Sequence, residues 1–257
     1  MPDIKIKARF IEPMLLRRAE KLPEGAGWTY ELKLDGFRAL AIKSGRVHLR
    51  SRNDKDFNAK YPAIVQALAA MPDETVIDGE VVALESGRPS FSALQNGSAT
   101  APLIYYVFDV MILAGKDVMN EPLSVRRELL AERVLAKLDE PIRESPVLEA
   151  SLADLISSVK AHGLEGLVAK RRDSRYEPGE RSGSLAEDAR QPGASIGDRG
   201  IHVGREELRR RHIRLLRRRP VDVRRTHPQR IHARVTRSTI QAIPGPGRGR
   251  MPVRQPS

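Results

Sequence analysis

The chain has 257 residues, enough for one sizeable core and a smaller appendage, and it contains no cysteine. A disulfide framework and a thiolate metal centre are therefore excluded. The net charge of +12 invites a nucleic-acid partner, yet residues 1–184 balance 27 Lys plus Arg against 27 Asp plus Glu.

Along the chain, residues 1–10 alternate charged and apolar positions without an apolar h-region, so no secretory signal is expected. No run approaches the roughly 18 apolar residues of a membrane span, and no membrane partner is expected. Strand character opens over residues 28–34. Residues 37–43 and 46–50 read as a hairpin across Ser44-Gly45. Apolar spacing predicts a helix over 59–70, and β-branched and aromatic runs predict strands over 75–84 and 103–113. A helix follows over 124–138, with Ser124 as N-cap and Leu129, Leu130 and Val134 on one face. Another is predicted over 151–162, capped by Ser151 and ended by Gly163, before a strand over 165–171. The six histidines show no ligand spacing tied to acids, so no zinc site is expected.

After Ser184 the text changes. The last 73 residues hold 18 Arg and 6 acids but no Lys, Phe, Trp, Tyr or Asn, and Pro and Gly interrupt any period. Such a segment buries too little apolar surface to offset its ordering entropy, so residues 185–257 are expected as a disordered basic tail. Arg-, Pro- and Gly-rich text without Lys is also what a GC-rich gene yields out of frame.

Five motifs stand in order ahead of that tail. Glu31-Leu32-Lys33-Leu34-Asp35-Gly36-Phe37-Arg38 contains Lys-x-Asp-Gly-x-Arg. Ser51-Arg52-Asn53, Ile77-Asp78-Gly79-Glu80, Tyr106-Val107-Phe108-Asp109 and Glu165-Gly166-Leu167-Val168-Ala169-Lys170 follow. Lys-x-Asp-Gly alone is a common string, whereas five motifs in sequence with this spacing are specific. Together they resemble the covalent lysine nucleotidyltransferases, and in particular the adenylation domain of ATP-dependent DNA ligases. Phe10-Ile11-Glu12-Pro13-Met14-Leu15 and the compact spacing are most similar to bacterial ligases of the end-joining type.

The resemblance implies an α+β fold, an antiparallel-sheet, ATP-grasp-like core with flanking helices, over residues 1–184. It also implies a three-step reaction: formation of lysyl-AMP, transfer of AMP to a 5′-phosphate, and attack by a 3′-hydroxyl. Lys33 would be the catalytic residue. Because an attacking amine must be unprotonated and free lysine titrates at about 10.4, its pKa is expected to be lowered by burial beside another cation or a metal. Arg38 and Arg52 would contact ribose and phosphate, Glu80 would accept from ribose hydroxyls, and Phe108 would stack on adenine. Glu31 and Lys170 complete the ATP-binding set. Glu165 would help hold Mg²⁺ or Mn²⁺. Asp35 and Asp78, each near a turn glycine, are expected to orient their neighbours, and Gly36 to let the backbone turn tightly. The implied partners are ATP, nicked or broken double-stranded DNA and a Ku-type end-binding protein, in the cytoplasm near the nucleoid.

The resemblance stops at Ser184. In the family, Arg181-Ser182-Gly183-Ser184 would run into Trp-Leu-Lys, and here it runs into Leu185-Ala186-Glu187-Asp188. The codons TGG CTG AAG ATG preceded by one extra C read CTG GCT GAA GAT, which encodes Leu-Ala-Glu-Asp, so a one-base frameshift is expected at that point. The oligonucleotide-binding domain that normally follows is expected to be missing, and nick sealing by this chain is expected to be impaired. Two other readings stay open: an RNA ligase or capping-type nucleotidyltransferase, and a non-enzymatic DNA-binding protein acting through its basic tail.

Overall fold

The computed structural model describes residues 5–97 and 101–188. Among them are eleven strands, β1 (Arg17–Ala19), β2 (Trp28–Leu32), β3 (Phe37–Ser44), β4 (Arg46–Ser51), β5 (Thr75–Glu85), β6 (Arg88–Pro89), β7 (Leu103–Leu113), β8 (Lys116–Asp117), β9 (Ile142–Glu144), β10 (Leu167–Arg171) and β11 (Leu185–Asp188). The helices are α1 (Pro62–Ala67), α2 (Phe91–Gln95), α3 (Leu123–Arg133) and α4 (Leu152–His162). The fold is mixed α+β with largely antiparallel pairing, as the sequence implies.

Two sheets carry the architecture. The larger runs β4-β3-β5-β7-β8, with β6 on β5 and β9 on β7. The smaller runs β1-β11-β10-β2. Period-two alternation gives each sheet an apolar face and a second face of different character. On the large sheet, Ala39, Ala41, Ile77, Val81 and Val107 face the helices and pack with Ile64, Leu68 and Leu130. On the small sheet, Tyr30, Leu167, Ala169 and Ala186 pack against Leu155 and Val159 of α4. The intervening residues of these strands (Glu31, Arg38, Asp78, Glu80, Phe108, Lys170 and Glu187) line a common cleft instead.

Local signals account for most boundaries. The β3–β4 hairpin turns on Gly45 at φ 71°, and Ser151 caps α4 by accepting from the Asp154 amide while Gly163 ends it in the left-handed conformation. Three expectations need correction. The helix predicted over 59–70 begins at Pro62, because Pro favours the first helical turn, and finishes as a 3₁₀ turn over Leu68–Ala70. The helix predicted from 124 begins at Leu123 with Pro122 as cap, and Ser124 makes no capping bond. The third correction concerns order itself, which continues past the boundary expected at 184. Residues 185–188 form β11, antiparallel to β10 and parallel to β1. A ladder asks only for N–H and C=O groups, and Leu185-Ala186-Glu187 alternates suitably around buried Ala186. The remainder of the expected tail lies outside the described residues. Among the described residues, no helix is long and apolar enough to cross a membrane.

Two motif glycines are required by close approach. A Cβ at Gly36 would stand 2.2 Å from the Val81 carbonyl oxygen, and one at Gly79 would stand 2.5 Å from that of Tyr106 and 2.6 Å from the Tyr105 ring. Gly36 therefore serves packing between β3 and β5, not the positive-φ turn expected from its place after Asp35. Gly79→Ala should lower unfolding free energy by about 1–3 kcal/mol, the range for overpacking a filled core, as measured by urea denaturation. An unchanged midpoint would contradict this contact.

Candidate active site

The cleft has a volume of about 900 Å³. Lys33 lies just beyond β2, and its amide donates to the Gly166 carbonyl at 2.9 Å, extending the β2–β10 ladder by one step. That register sets Lys33 beside Glu165. Lys33 Nζ lies 2.5 Å from Glu165 Oε1 and 3.1 Å from Glu187 Oε2. Burial pulls the Lys33 pKa down, but hydrogen bonds and charge from the two glutamates outweigh it and hold the ammonium above the ordinary lysine range. The lowered pKa expected from the sequence is thus reversed in this state, because the neighbours are anions, not cations.

Arg38 departs from its expected role as well. Its Nε and Nη2 each donate to Asp78 at 2.6 Å, a bidentate pair around a carboxylate with no exposed surface. The Tyr176 hydroxyl donates to the same carboxylate at 2.6 Å and accepts from the Met14 amide at 3.1 Å. Arg38 therefore borders the cleft with its fork committed to Asp78, and Asp78 takes the orienting role expected of it. The Arg38 guanidinium carbon also lies 4.6 Å from the Phe108 ring centroid, and Lys170 Nζ lies 4.4 Å from it. Phe108 lines the cleft instead of joining the core.

At the inner end, Glu31 is 2% exposed and fully partnered. It accepts from Lys170 Nζ at 2.9 Å, Ser145 Oγ at 2.8 Å and Arg127 Nη1 at 2.5 Å. Burial lowers the Lys170 pKa, and Glu31 opposes that effect. Burial pushes the Glu80 carboxyl up to about 8; Arg38 opposes this, while Asp78, Glu165 and Asp35 add to it. A carboxyl shifted in that direction keeps its proton to higher pH and, while protonated, can donate as well as accept. Arg52 is exposed at the mouth of the cleft, its amide donating to the Arg38 carbonyl at 3.2 Å.

A divalent cation fits one corner of the site. Glu165 Oε2 is buried without a hydrogen-bond partner, and hard oxygen ligands suit Mg²⁺ or Mn²⁺. Among the described residues no three His, Cys, Asp or Glu side chains form a complete cage. Phosphate oxygens would have to complete the coordination, the usual arrangement for Mg²⁺.

Behind and along the cleft stand residues that its motifs do not contain. Arg126 of α3 is 1% exposed and uses its whole fork: Nε and Nη2 donate to Asp109 at 2.7 and 2.8 Å, and Nη1 to the Glu121 and Ser174 carbonyls. Arg127 beside it reaches Glu31. Neighbours on a helix point about 100° apart, so each arginine serves a different acid, and no helical period marks either as buried. Glu187 escaped notice because it lay in the expected tail. Of the expected set, Glu31, Lys33, Arg38, Arg52, Glu80, Phe108 and Lys170 all line the cleft, and Glu165 touches Lys33.

Comparison with known proteins agrees with this geometry. A family profile for the ATP-dependent DNA ligase domain matches residues 13–186. The multifunctional non-homologous end joining protein LigD of Pseudomonas aeruginosa is 37% identical over 173 residues, covering 65% of this chain and 20% of that protein. DNA ligase C1 of Mycolicibacterium smegmatis is 35% identical over 189 residues, covering 66% of this chain and 54% of that protein. The chain thus spans between a fifth and about half the length of these relatives. A solved mycobacterial DNA ligase D complexed with ATP and MES superposes with a TM-score of 0.60 at 36% identity, covering 69% of this chain and 59% of that one.

Two predictions follow from the buried charges. A folded carboxyl raised from 4.5 to about 8 retains its proton where the unfolded chain has lost it, so the Glu80 contribution to stability declines as pH rises through that window. Glu80→Gln should flatten the fall in thermal midpoint between pH 4.5 and 8, and an unaltered slope would refute the shift. Arg126→Met leaves Asp109 buried and uncompensated, and should cost about 3–5 kcal/mol in chemical denaturation. A cost within about 0.5 kcal/mol, the range of ordinary surface changes, would exclude that role.

Proposed function

The chain belongs to the ATP-dependent DNA ligase family, and from that membership we propose that Lys33 accepts AMP from ATP in the cleft between the two sheets. The observation that carries this reading is the placement of Lys33 Nζ in direct contact with Glu165 and in the cleft that Glu80, Arg38 and Lys170 also line. The solved relative bears ATP by its own description, which supports ATP as the nucleotide here.

The reaction needs a free amine, an accessible α-phosphorus and a leaving pyrophosphate. In the resting site the ammonium is held by two carboxylates. Glu165 Oε1, at 2.5 Å, is the group placed to take its proton. The Nζ lone pair then forms the N–P bond as the bond to pyrophosphate breaks. Glu165, through its unpartnered Oε2, and the nucleotide phosphates would hold Mg²⁺ or Mn²⁺, which supplies charge neutralisation as pyrophosphate departs. Glu80, its carboxyl pushed up by burial, offers a ribose hydroxyl an acceptor and, when protonated, a donor. Phe108 presents an aromatic wall already flanked by Arg38 and Lys170, and Glu31 with Lys170 forms the polar end available to the base. Arg52 stands at the mouth, where a phosphate would pass.

We further read the AMP acceptor as the 5′-phosphate of nicked or broken duplex DNA, followed by attack of a 3′-hydroxyl. The relatives named for non-homologous end joining support that reading, with a Ku-type end-binding protein as the partner class. The test uses the purified chain, Mg²⁺ and ATP labelled at the α-phosphate. Wild type should acquire an acid-labile AMP adduct and Lys33→Ala should acquire none. Equal label on both, or none on wild type, would overturn the assignment.

A further inference from the structure

Lys33 has two carboxylate partners, and they differ in what they face. Glu165 Oε2 is buried without a hydrogen-bond partner, whereas Glu187 lines the open cleft. Glu187 is held there by sheet register, not by a loose loop. It stands opposite Val168 of β10 and Arg18 of β1, and Ala186 behind it is buried in the apolar cluster under α4. Leu185 and Glu187 thus share the cleft face of β11, and the carboxylate meets Lys33 Nζ at 3.1 Å.

A phosphate approaching Lys33 from the cleft must contend with that carboxylate. Both are anions seeking the same ammonium. The other cation on Glu187 is Arg18, at 3.7 Å, but its side chain is 82% exposed and solvent screens it. Glu165 and Asp35 already interact with the same amine, so a further anion meets repulsion unless a cation accompanies it.

We propose that Glu187 is an internal competitor for the polyphosphate of the nucleotide: its carboxylate occupies the cleft side of the Lys33 amine and must be displaced before a phosphate can bind there. The identity of that polyphosphate rests on the function proposed above, but the competition itself does not require any transfer of AMP. Glu165 and Glu187 then have opposite effects although both touch the same nitrogen. Glu165 serves the reaction, and Glu187 holds the site closed to its ligand.

The experiment uses the full chain and inorganic pyrophosphate with Mg²⁺ as probe, followed by calorimetry. Glu187→Gln removes the charge and keeps the shape, and should bind pyrophosphate about tenfold more tightly than wild type, equivalent to roughly 1.4 kcal/mol. Glu165→Gln should show no such gain. If Glu187→Gln unfolds early, Glu187→Asp withdraws the carboxylate by one methylene and should give a smaller gain in the same direction. Affinity equal to or below wild type in a folded Glu187 variant, or no pyrophosphate binding by any of the proteins, overturns the proposal. Adduct formation from labelled ATP is measured alongside. Tighter pyrophosphate binding without any adduct would retain the competitor and reject the AMP-accepting role of Lys33; an adduct without tighter binding would do the reverse.

Discussion

Asp78 has no exposed surface, and its charge is tolerated because Arg38 meets it with two hydrogen bonds and Tyr176 with a third. This one junction joins β3, β5, the segment after β10 and, through the Met14 amide, the N-terminal stretch. Breaking a buried pair leaves an uncompensated charge, at a cost of about 3–5 kcal/mol. The same constraint recurs at Asp109 with Arg126 and at Glu31 with Lys170, Arg127 and Ser145. The cleft can therefore be polar because nearly every charge in its inner wall is matched by a neighbour with defined geometry. These pairs hold Phe108 and Glu80 in place from behind.

Lys33 is the exception to that matching, since two glutamates share one ammonium. The excess of acid is what the chemistry of the site requires and also what opposes it. A carboxylate beside the amine provides a proton acceptor and a ligand for a cation, yet negative charge repels a polyphosphate. The two tasks fall to two residues on adjacent strands. Glu165 sits at the approach to β10, one oxygen buried and unpartnered, and Glu187 sits on β11, facing the cleft. A cation arriving with the phosphates would reconcile the two demands.

Much of this was legible in the sequence, and the reasons differ by element. The β-branched and aromatic runs over residues 75–84 and 103–113 report directly on strands, because such side chains suit a pleated, buried surface. Ser151 and Gly163 bracket α4 by local backbone chemistry alone. The residues that line the cleft were recognisable because five short motifs recur in order, and each sits where a strand alternates out of the core. The family and the α+β class were determined at that level.

What only the tertiary structure decided is how charges meet across strands far apart in the chain. Glu31 and Lys170 are 139 residues apart, and Arg38 and Asp78 are 40 apart. No local signal records which acid each base will face, so the pairing of Arg38 with Asp78 was not legible in the motif. The raised Lys33 pKa comes from Glu165 and then Glu187, and Glu187 reaches the amine because its strand finds a ladder on both sides, in β10 and β1. Composition marked residues 185–188 as tail, but backbone pairing is indifferent to composition. The sequence determined which residues are present at the cleft, through period-two alternation and motif order; long-range pairing in a poorly solvated interior determined their charge states and their partners.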